Sequence, residues 1–285
     1  MTGRPAETGR ITAAVNLSPP WRLRYRGAVE ADYPILEFDR DRHAVIEPHM
    51  VRERLDVPPV AVPCFFLDVI QKVCVDGRAR VLTQLRSAHG VHPVFEVNWG
   101  ERRITVYHPG VGSPLAAVFL EELIETGCRT FVAVGGAGGL VPELTVGYVV
   151  VPTAAVRDEG TSYHYLPAGR EVEPTPRVVA AIEKVLQAHH VPFVTGKVWT
   201  TDAPYRETRG KAARRVAEGC LAVDMEAAAL FAVARFRDAE FGQILAAADD
   251  LSQEQWDDRG FIPDTSVRER LFWLAVEAAA SLTPP

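Results

Sequence analysis

The chain has 285 residues, of which 47% are hydrophobic and 24% charged, enough for one large globular domain or at most two. Its formal net charge of −6 offers no basic surface of the kind that nucleic-acid phosphates require, so we expect no nucleic-acid partner. The N-terminus lacks the apolar core of a signal peptide, and no apolar run approaches the roughly 20 residues of a membrane span, so we expect a cytoplasmic protein with no membrane partner.

The pattern along the chain changes near residue 30. Residues 1–30 are polar and rich in Arg, Pro and Gly, which predicts a flexible N-terminal arm followed by one domain over residues 31–285. Within that domain the predicted strands are RRITVYHPG, RTFVAVGG, TVGYVVVPTAAV, FVTGKVWTTD and AEFGQILAAADD, and the predicted helices are PLAAVFLEELIETG, TPRVVAAIEKVLQAHH, AVDMEAAALFAVARF and VRERLFWLAVEAAASL. This alternation predicts a layered α/β domain with a mostly parallel or mixed central sheet.

One helix start stands out before the first glycine-rich strand. In HPGVGSPLAAVFLEEL, Ser113 is predicted as the N-cap and Pro114 as the first helical residue. The free N–H groups of such a helix start can hold an anion or a sugar hydroxyl, although simple capping is the commoner explanation.

A second glycine cluster follows the strand RTFVAVGG. Gly135, Gly136, Gly138 and Gly139 superficially match a dinucleotide-binding turn, but that fingerprint needs a helix straight after the glycines. The chain continues instead as LVPELTVGYVVV, which favours another extended segment. Two interpretations remain: a tight turn between strands, or bare backbone that lets a ligand approach the strand end.

Two acidic positions have apolar surroundings. If Glu226 lies on a helix, the positions three and four residues away are apolar, so its carboxylate needs a partner. Asp224 and Glu226 either stabilise the first helical turn through its dipole, or Glu226 faces a pocket and accepts hydrogen bonds from ligand hydroxyls. Asp249 and Asp250 end a predicted strand, where they lie either in a ligand site or in an exposed turn.

The cysteines and histidines give no sign of a metal centre. Cys64, Cys74, Cys128 and Cys220 are widely scattered, which favours reduced structural thiols over a disulfide framework or a zinc site. The histidines lack the spacing of a metal-binding motif such as HExxH. We therefore expect no metal and no cofactor.

Several of these motifs occur together in the order of a known family: GVGSPLAAVFLEEL, FVAVGGAGGL with LTVGYVVVPTAAVRDEG, TTDAPY, VDMEAAALFAVA and AADDL. Over roughly residues 100–280 the sequence resembles the nucleoside phosphorylase family, which includes purine nucleoside and uridine phosphorylases and methylthioadenosine/S-adenosylhomocysteine nucleosidases. The resemblance implies a single-domain, three-layer α/β fold with a mixed, twisted central β-sheet flanked by helices. It also implies a homo-oligomer, either a dimer or a hexamer, whose sites border a neighbouring subunit.

The resemblance assigns roles to residues around the sugar and the base. Met225 and Glu226 match the family's ribose-contacting pair, in which the glutamate holds the sugar hydroxyls, and Asp224 directly precedes them. Asp202 and Tyr205 match a segment beside the base pocket.

Two further elements of the resemblance concern the leaving base and the phosphate. Asp249 matches the aspartate that protonates the departing purine, a role that burial of the acid would favour. Gly112, Gly135 and Gly136 fall in the glycine turns that border phosphate and sugar. Hydrogen bonds from sugar hydroxyls to Glu226 would strengthen as the sugar gains oxocarbenium character, which lowers the barrier.

The sequence departs from the family at the phosphate site and near the base. Ala133 and Gly136 stand where phosphorylases carry an arginine and a Ser or Thr, and the N-terminal Gly-Asp-Pro-x-x-Arg motif is missing. Arg86 is the predicted substitute for the phosphate arginine that a neighbouring subunit supplies, with an ordinary surface arginine as the alternative. Pro204 replaces the aromatic that stacks on the base, and no uracil-reading Gln and Arg pair follows Tyr205, which favours a purine.

The predicted function is phosphorolysis of a purine-type nucleoside to free base and pentose 1-phosphate, with phosphate as co-substrate. Two alternatives remain open. The GGAGGL segment also resembles that of the nucleosidases, which use water, and Glu37 or Asp39 would then activate that water. A non-catalytic nucleoside-binding protein is the third possibility.

Overall fold

The structure is a computed structural model that describes residues 33–144, 147–259 and 265–282. Contacts divide the chain into two units, residues 1–37 and 38–285. The described part of the first unit contains a 3-10 helix at Pro34–Leu36. The predicted arm of residues 1–30 lies outside the described residues.

The described part of the second unit contains ten strands and six α-helices. The strands are β1 (Val60–Pro63), β2 (Arg80–Ser87), β3 (Gly90–Trp99), β4 (Arg102–Tyr107), β5 (Thr130–Gly139), β6 (Val149–Asp158), β7 (Glu171–Val172), β8 (Phe193–Thr201), β9 (Cys220–Asp224) and β10 (Glu240–Asp250). The helices are α1 (Leu67–Ile70), which continues as a π-helix over Gln71–Asp76, α2 (Ser113–Thr126), α3 (Pro176–Ala188), α4 (Arg209–Ala217), α5 (Ala227–Phe236) and α6 (Thr265–Leu282). Shorter 3-10 helices lie at Pro48–Met50, Thr161–His164 and Pro204–Arg206.

All ten strands belong to one mixed sheet, ordered β10-β6-β8-β9-β5-β1-β4-β3-β2, with β7 paired to β6. An additional pairing of β10 with β5 closes the first five strands into a ring. The β5–β10 pair is parallel, whereas β9 runs antiparallel to β5. The register brings their last residues together, because Gly138 pairs with Val223 of β9 and with Asp249 of β10.

Helices cover the sheet on two sides, which gives the predicted three layers. The apolar faces of α1, α3 and α6 pack in one core cluster against residues such as Val132 and Ile244. Helices α2 and α5 pack in another cluster against Phe131, Ala133 and Phe241. Alternate side chains of β5 and β10 thus enter opposite cores, which explains why both strands are apolar on both faces. No helix in the described ranges combines the length and apolarity needed to cross a bilayer.

The predicted strands and helices are confirmed, with two corrections. Ala222 and Val223 lie in strand β9 rather than in the predicted helix, because they pair with β8 and β5; the helix begins only at Ala227. The four glycines from Gly135 to Gly139 lie within strand β5, so the interpretation as a tight turn is wrong. All four cysteines are free and buried.

Candidate active site

A cavity of about 320 Å³, here the central pocket, opens where β5, β9 and β10 end. Its wall includes Gly136 of β5, Met225 and Glu226 after β9, and Gln243 and Asp249 of β10. This is the strand-end location at which ligands bind in open α/β sheets. The structure therefore brings the two predicted catalytic acids, Glu226 and Asp249, to one cavity.

Asp224 makes the turn from β9 into α5. Its Oδ2 accepts hydrogen bonds from the backbone N–H groups of Glu226 and Ala227, at 3.1 and 2.7 Å. Its Oδ1 accepts a bond of 2.7 Å from the Thr200 hydroxyl, whose oxygen in turn accepts the N–H of Ala228. Both oxygens of Asp224 are occupied, so this side chain caps the helix and positions the residue two places later.

Glu226 is the N-cap residue of α5 and is 7% exposed. Its Oε1 accepts a hydrogen bond of 2.6 Å from the backbone N–H of Gly112. Burial, and then the adjacent charge of Asp224, raise the pKa of Glu226 above its ordinary value. The carboxyl group is thus held at the pocket wall in an environment that disfavours its negative charge.

The start of α2 supports Glu226 from the other side. Gly112, the N-cap residue, has a φ of 90°, a conformation that favours glycine, and it directs its N–H at the carboxylate. Ser113, predicted as the N-cap, lies one position inside the helix and makes no capping bond; its hydroxyl donates to the Met225 carbonyl at 2.7 Å. The N–H of Gly112 at this helix start is therefore used, and its partner is a protein carboxylate.

Asp249 stands at the end of β10 beside a β-bulge. The register with β5 shifts between Ala247 and Asp249, which pairs Asp249 with Gly138. Its Oδ2 accepts a hydrogen bond of 2.7 Å from the indole N–H of Trp256, a residue that is 66% exposed. Bulges redirect side chains at strand ends, and here the half-buried Asp249 carboxyl faces the central pocket.

The close packing of strands at Gly138 explains the glycine-rich end of β5. A Cβ atom at this position would lie 2.5 Å from Leu251 Cδ1, 3.1 Å from Val223 Cγ1 and 3.2 Å from Asp249 Oδ1. Glycine is therefore required for the approach of three strands rather than for a turn.

Two residues of the central pocket had no sequence signal. Glu207, two positions after Tyr205, is half-buried and lines the pocket together with Asp249. Gln243 is 1% exposed, and its Oε1 is buried with no hydrogen-bond partner in the described part of the chain. Gln243 pairs in register with Ala133, the position at which the family resemblance led us to expect an arginine.

The remaining predicted site residues lie outside the central pocket. The backbone of Gly135 packs against Phe65, and Asp202 is exposed, where it accepts the N–H of Gly160 at 2.8 Å. Tyr205 is fully exposed and lines a neighbouring cavity. Arg86 is exposed on the outermost strand, β2.

Glu37 and Asp39, the acids predicted to activate water in the hydrolytic alternative, lie within the described residues. Glu37 belongs to the unit of residues 1–37, and Asp39 is exposed and accepts the N–H of Asp41 at 2.9 Å.

The charged side chains that line the central pocket are all acidic. Four acids line it, Glu207, Asp224, Glu226 and Asp249, and no Lys, Arg or His of the described ranges does. Within the same ranges, no group of three or more His, Cys, Asp or Glu is arranged to hold a metal ion.

Comparison with known proteins finds a family model described as "Phosphorylase superfamily", which matches residues 66–271. The chain is 34% identical to a uridine phosphorylase of Treponema pallidum over 156 residues, which is 51% of this chain and 60% of the relative. It is 30% identical to a guanosine phosphorylase of Halorubrum lacusprofundi over 205 residues, which is 70% of this chain and 81% of the relative. The match thus spans less than two thirds of the first relative's length and more than two thirds of the second's.

Solved structures with a similar fold include purine nucleoside phosphorylase from Toxoplasma gondii in complex with immucillin-H, with a TM-score of 0.69, 25% identity and coverage of 80% of this chain and 92% of that one. AMP nucleosidase from Bacteroides thetaiotaomicron has a TM-score of 0.63 at 24% identity, over 80% of this chain and 90% of that one, which shows a shared fold.

Proposed function

The chain belongs to the phosphorylase superfamily, and on that premise we propose that it cleaves the N-glycosidic bond of a purine-type nucleoside by phosphorolysis. The names of the relatives, uridine and guanosine phosphorylase, support the reaction type. The observation that carries the proposal is the buried carboxyl of Glu226, held by the Gly112 N–H in the same pocket as Asp249.

Glu226 acts on the sugar. Its second oxygen accepts hydrogen bonds from the ribose hydroxyls, and Met225 packs beside the ring. As the bond to the base breaks, the sugar gains positive charge and its hydroxyls become stronger donors. The carboxylate therefore binds the transition state more tightly than the substrate, which lowers the barrier.

Asp249 acts on the base. A purine leaves poorly as an anion, so a proton delivered to a ring nitrogen as the bond breaks accelerates departure, by about 100-fold or more for a well-placed acid. The indole N–H of Trp256 occupies Oδ2 of Asp249 and leaves Oδ1 for this transfer.

The phosphate needs a positive charge that the central pocket lacks. We propose that a second copy of the chain supplies it in a dimer or hexamer, through Arg86, which is exposed on the edge strand β2. A dianion placed among four acids without such a cation would be repelled by about 1 kcal/mol or more per charge pair, even close to water.

Hydrolysis is the second candidate, and one observation favours it. Gln243, with its unpartnered Oε1, lies beside Ala133, where a phosphorylase arginine is expected. A neutral carboxamide suits a neutral nucleophile, because its oxygen accepts a hydrogen bond from water and offers no charge to phosphate.

The test is release of free base from adenosine, inosine, guanosine, uridine and methylthioadenosine, each with and without phosphate. Base released only with phosphate supports phosphorolysis, and base released equally without it supports hydrolysis. Nucleoside binding without any base release would make the protein a binding module and refute the proposal.

A matched pair of variants separates the site from the fold. Glu226→Gln keeps an oxygen for the Gly112 N–H and removes the charge, so we expect a loss of turnover of about 100-fold or more with the fold intact. Glu254→Gln changes an exposed acid of the loop after β10 and should leave turnover unchanged.

A further inference from the structure

Glu207 and Asp249 occupy a shared boundary between two cavities. Both residues line the central pocket, and both line an adjoining cavity of about 460 Å³, here the outer cavity, together with Tyr205, Arg209 and Trp256. Two carboxyl groups on different segments, one after β8 and one at the end of β10, are thus placed at the same opening.

Asp249 is fixed in this position from two sides. Trp256 donates its indole N–H to Oδ2, and Oδ1 lies against the backbone of Gly138, where a Cβ atom would be only 3.2 Å away. These contacts place the Asp249 carboxyl at the boundary that Glu207 shares, where its negative charge acts on Glu207.

Glu207 responds to that repulsion. Burial, and then the negative charge of Asp249, raise the pKa of Glu207 to about 7, against a smaller lowering by Lys211. A carboxyl group beside a second negative charge keeps its proton to a higher pH, so Glu207 retains a proton closer to neutrality than an isolated glutamate would.

We propose that Glu207 is a second catalytic acid: together with Asp249 it holds one shared proton at the mouth of the central pocket and delivers that proton to a ring nitrogen of the departing base. The inference rests on the proposed function, because it assigns the acid step of that reaction to a carboxyl pair.

The C1′–N bond breaks and its electron pair goes to the base, while the shared proton moves to a ring nitrogen, so that the base leaves neutral and the carboxyl pair is left doubly ionised. The nucleophile forms the new C1′–O bond. The proton that it releases, from the sugar phosphate or from water, restores the pair.

The same arrangement defines a substrate class. Adenine and guanine both present N7 as a hydrogen-bond acceptor, whereas a pyrimidine presents no ring nitrogen on the corresponding edge. A proton held at the pocket mouth therefore favours purine nucleosides and gives uridine no comparable assistance. Tyr205 and Trp256, which both line the outer cavity, provide aromatic surface for the purine ring.

The experiment compares two leaving groups in four proteins: wild type, Glu207→Gln, Asp249→Asn and the double variant, with Glu254→Gln as the surface control. One substrate is the best purine nucleoside found in the base-release screen, and the other is 4-nitrophenyl β-D-ribofuranoside, whose leaving group needs no proton. We expect Glu207→Gln to lower kcat/KM for the purine nucleoside by about 100-fold and for the nitrophenyl riboside by less than about fivefold. For the purine nucleoside, kcat/KM of the double variant should lie within about threefold of that of the less active single variant, because the two acids act as a unit.

The pH profile gives an independent readout. In the wild type, kcat/KM for the purine nucleoside should fall above about pH 7 as the pair loses its proton, and Glu207→Gln should move that descending limb.

Three outcomes would overturn the inference. Glu207→Gln within twofold of wild type on the purine nucleoside would remove Glu207 from the acid step. An equal loss on both substrates would indicate a structural effect instead. If the wild type cleaves no nucleoside at all, the proposed function fails, and the inference fails with it.

Discussion

Replacement of Glu226 by Gln should lower turnover by about 100-fold or more and at the same time stabilise the protein above neutral pH. The side chain is 7% exposed, and burial and the charge of Asp224 raise its pKa. Glutamine keeps the oxygen that accepts the Gly112 N–H and removes the negative charge. The wild-type carboxylate is therefore a group that function requires and that the folded state disfavours.

The sign of the effect follows from the direction of the pKa shift, and its size follows from the cost of desolvating a buried charged group. A carboxyl whose pKa is raised on folding contributes its stability below the ordinary value of 4.5, and loses it as the pH rises through the folded value. The difference between variant and wild type should be near zero at about pH 4.5 and reach about 1–3 kcal/mol at about pH 8.5, the desolvation penalty of a buried polar or charged group.

Urea denaturation at several pH values between these limits measures the free energy of unfolding of both proteins. Glu254→Gln, an exposed acid, controls for the loss of one negative charge and should follow the wild type at every pH. A Glu226→Gln protein that is less stable than wild type at the alkaline end, or a difference that does not change with pH, would refute the reasoning.

Three other substitutions test neighbouring parts of the site. Asp224→Ala removes the acceptor for two backbone N–H groups and a hydroxyl, and should lower the free energy of unfolding by about 2 kcal/mol in urea denaturation. Gly138→Ala should displace the Asp249 carboxyl and lower kcat by about tenfold, whereas Gly210→Ala, whose added methyl meets no atom within 4 Å, should leave kcat unchanged. Arg86→Ala should raise KM for phosphate by about tenfold, as expected for one lost charge contact, without a change in melting temperature; an unchanged KM would remove this arginine from the phosphate site.

The parts of the fold that the sequence predicted are those whose burial is visible in local patterns. Strands β5 and β10 are buried on both faces and read as continuous apolar runs, and α2 begins with a recognisable Gly-Ser-Pro start. The hairpin of β2 and β3 was not predicted, because β2 is largely exposed and buries only Leu85 completely. An edge strand of this kind forms through its pairing partner rather than through its own hydrophobicity.

Strand β9 was in part wrongly predicted as helix. Its single alanine, Ala222, lies close before the alanine-rich start of α5, and residues 222–224 were assigned to that helix. Pairing with β8 on one side and β5 on the other holds the segment extended, and the change to a helix occurs at Asp224, whose side chain caps the new element. Tertiary pairing overrides local propensity here, and it moves Glu226 from the face of a helix to the N-cap position that precedes it.

Site residues that lie in a recognisable sequence motif were predicted, whereas residues that only the folded chain brings together were not. Glu226 and Asp249 stand in recognisable motifs, and the structure brings them to one cavity. Glu207 has no local signal beyond an acid near Tyr205, and its relation to Asp249 arises from two segments that meet only in the folded chain. The pairing of Gln243 with Ala133 likewise depends on strand register.

The acidity of the central pocket explains how binding energy is used in the proposed reaction. Asp224 raises the pKa of Glu226, and Asp249 raises the pKa of Glu207. In each pair, one negative charge makes ionisation of the other carboxyl group less favourable. A neutral nucleoside leaves the negative charge of Glu226 uncompensated, whereas a sugar that acquires positive charge beside Glu226 compensates it. The pocket is therefore complementary to the charge that develops as the bond breaks, which is the condition for raising kcat rather than lowering KM.

A phosphate dianion gains nothing from such a site unless a cation arrives with it. The dependence of KM for phosphate on protein concentration should consequently follow the assembly of the oligomer, and a KM that is constant across dissociation would place the cation within a single chain.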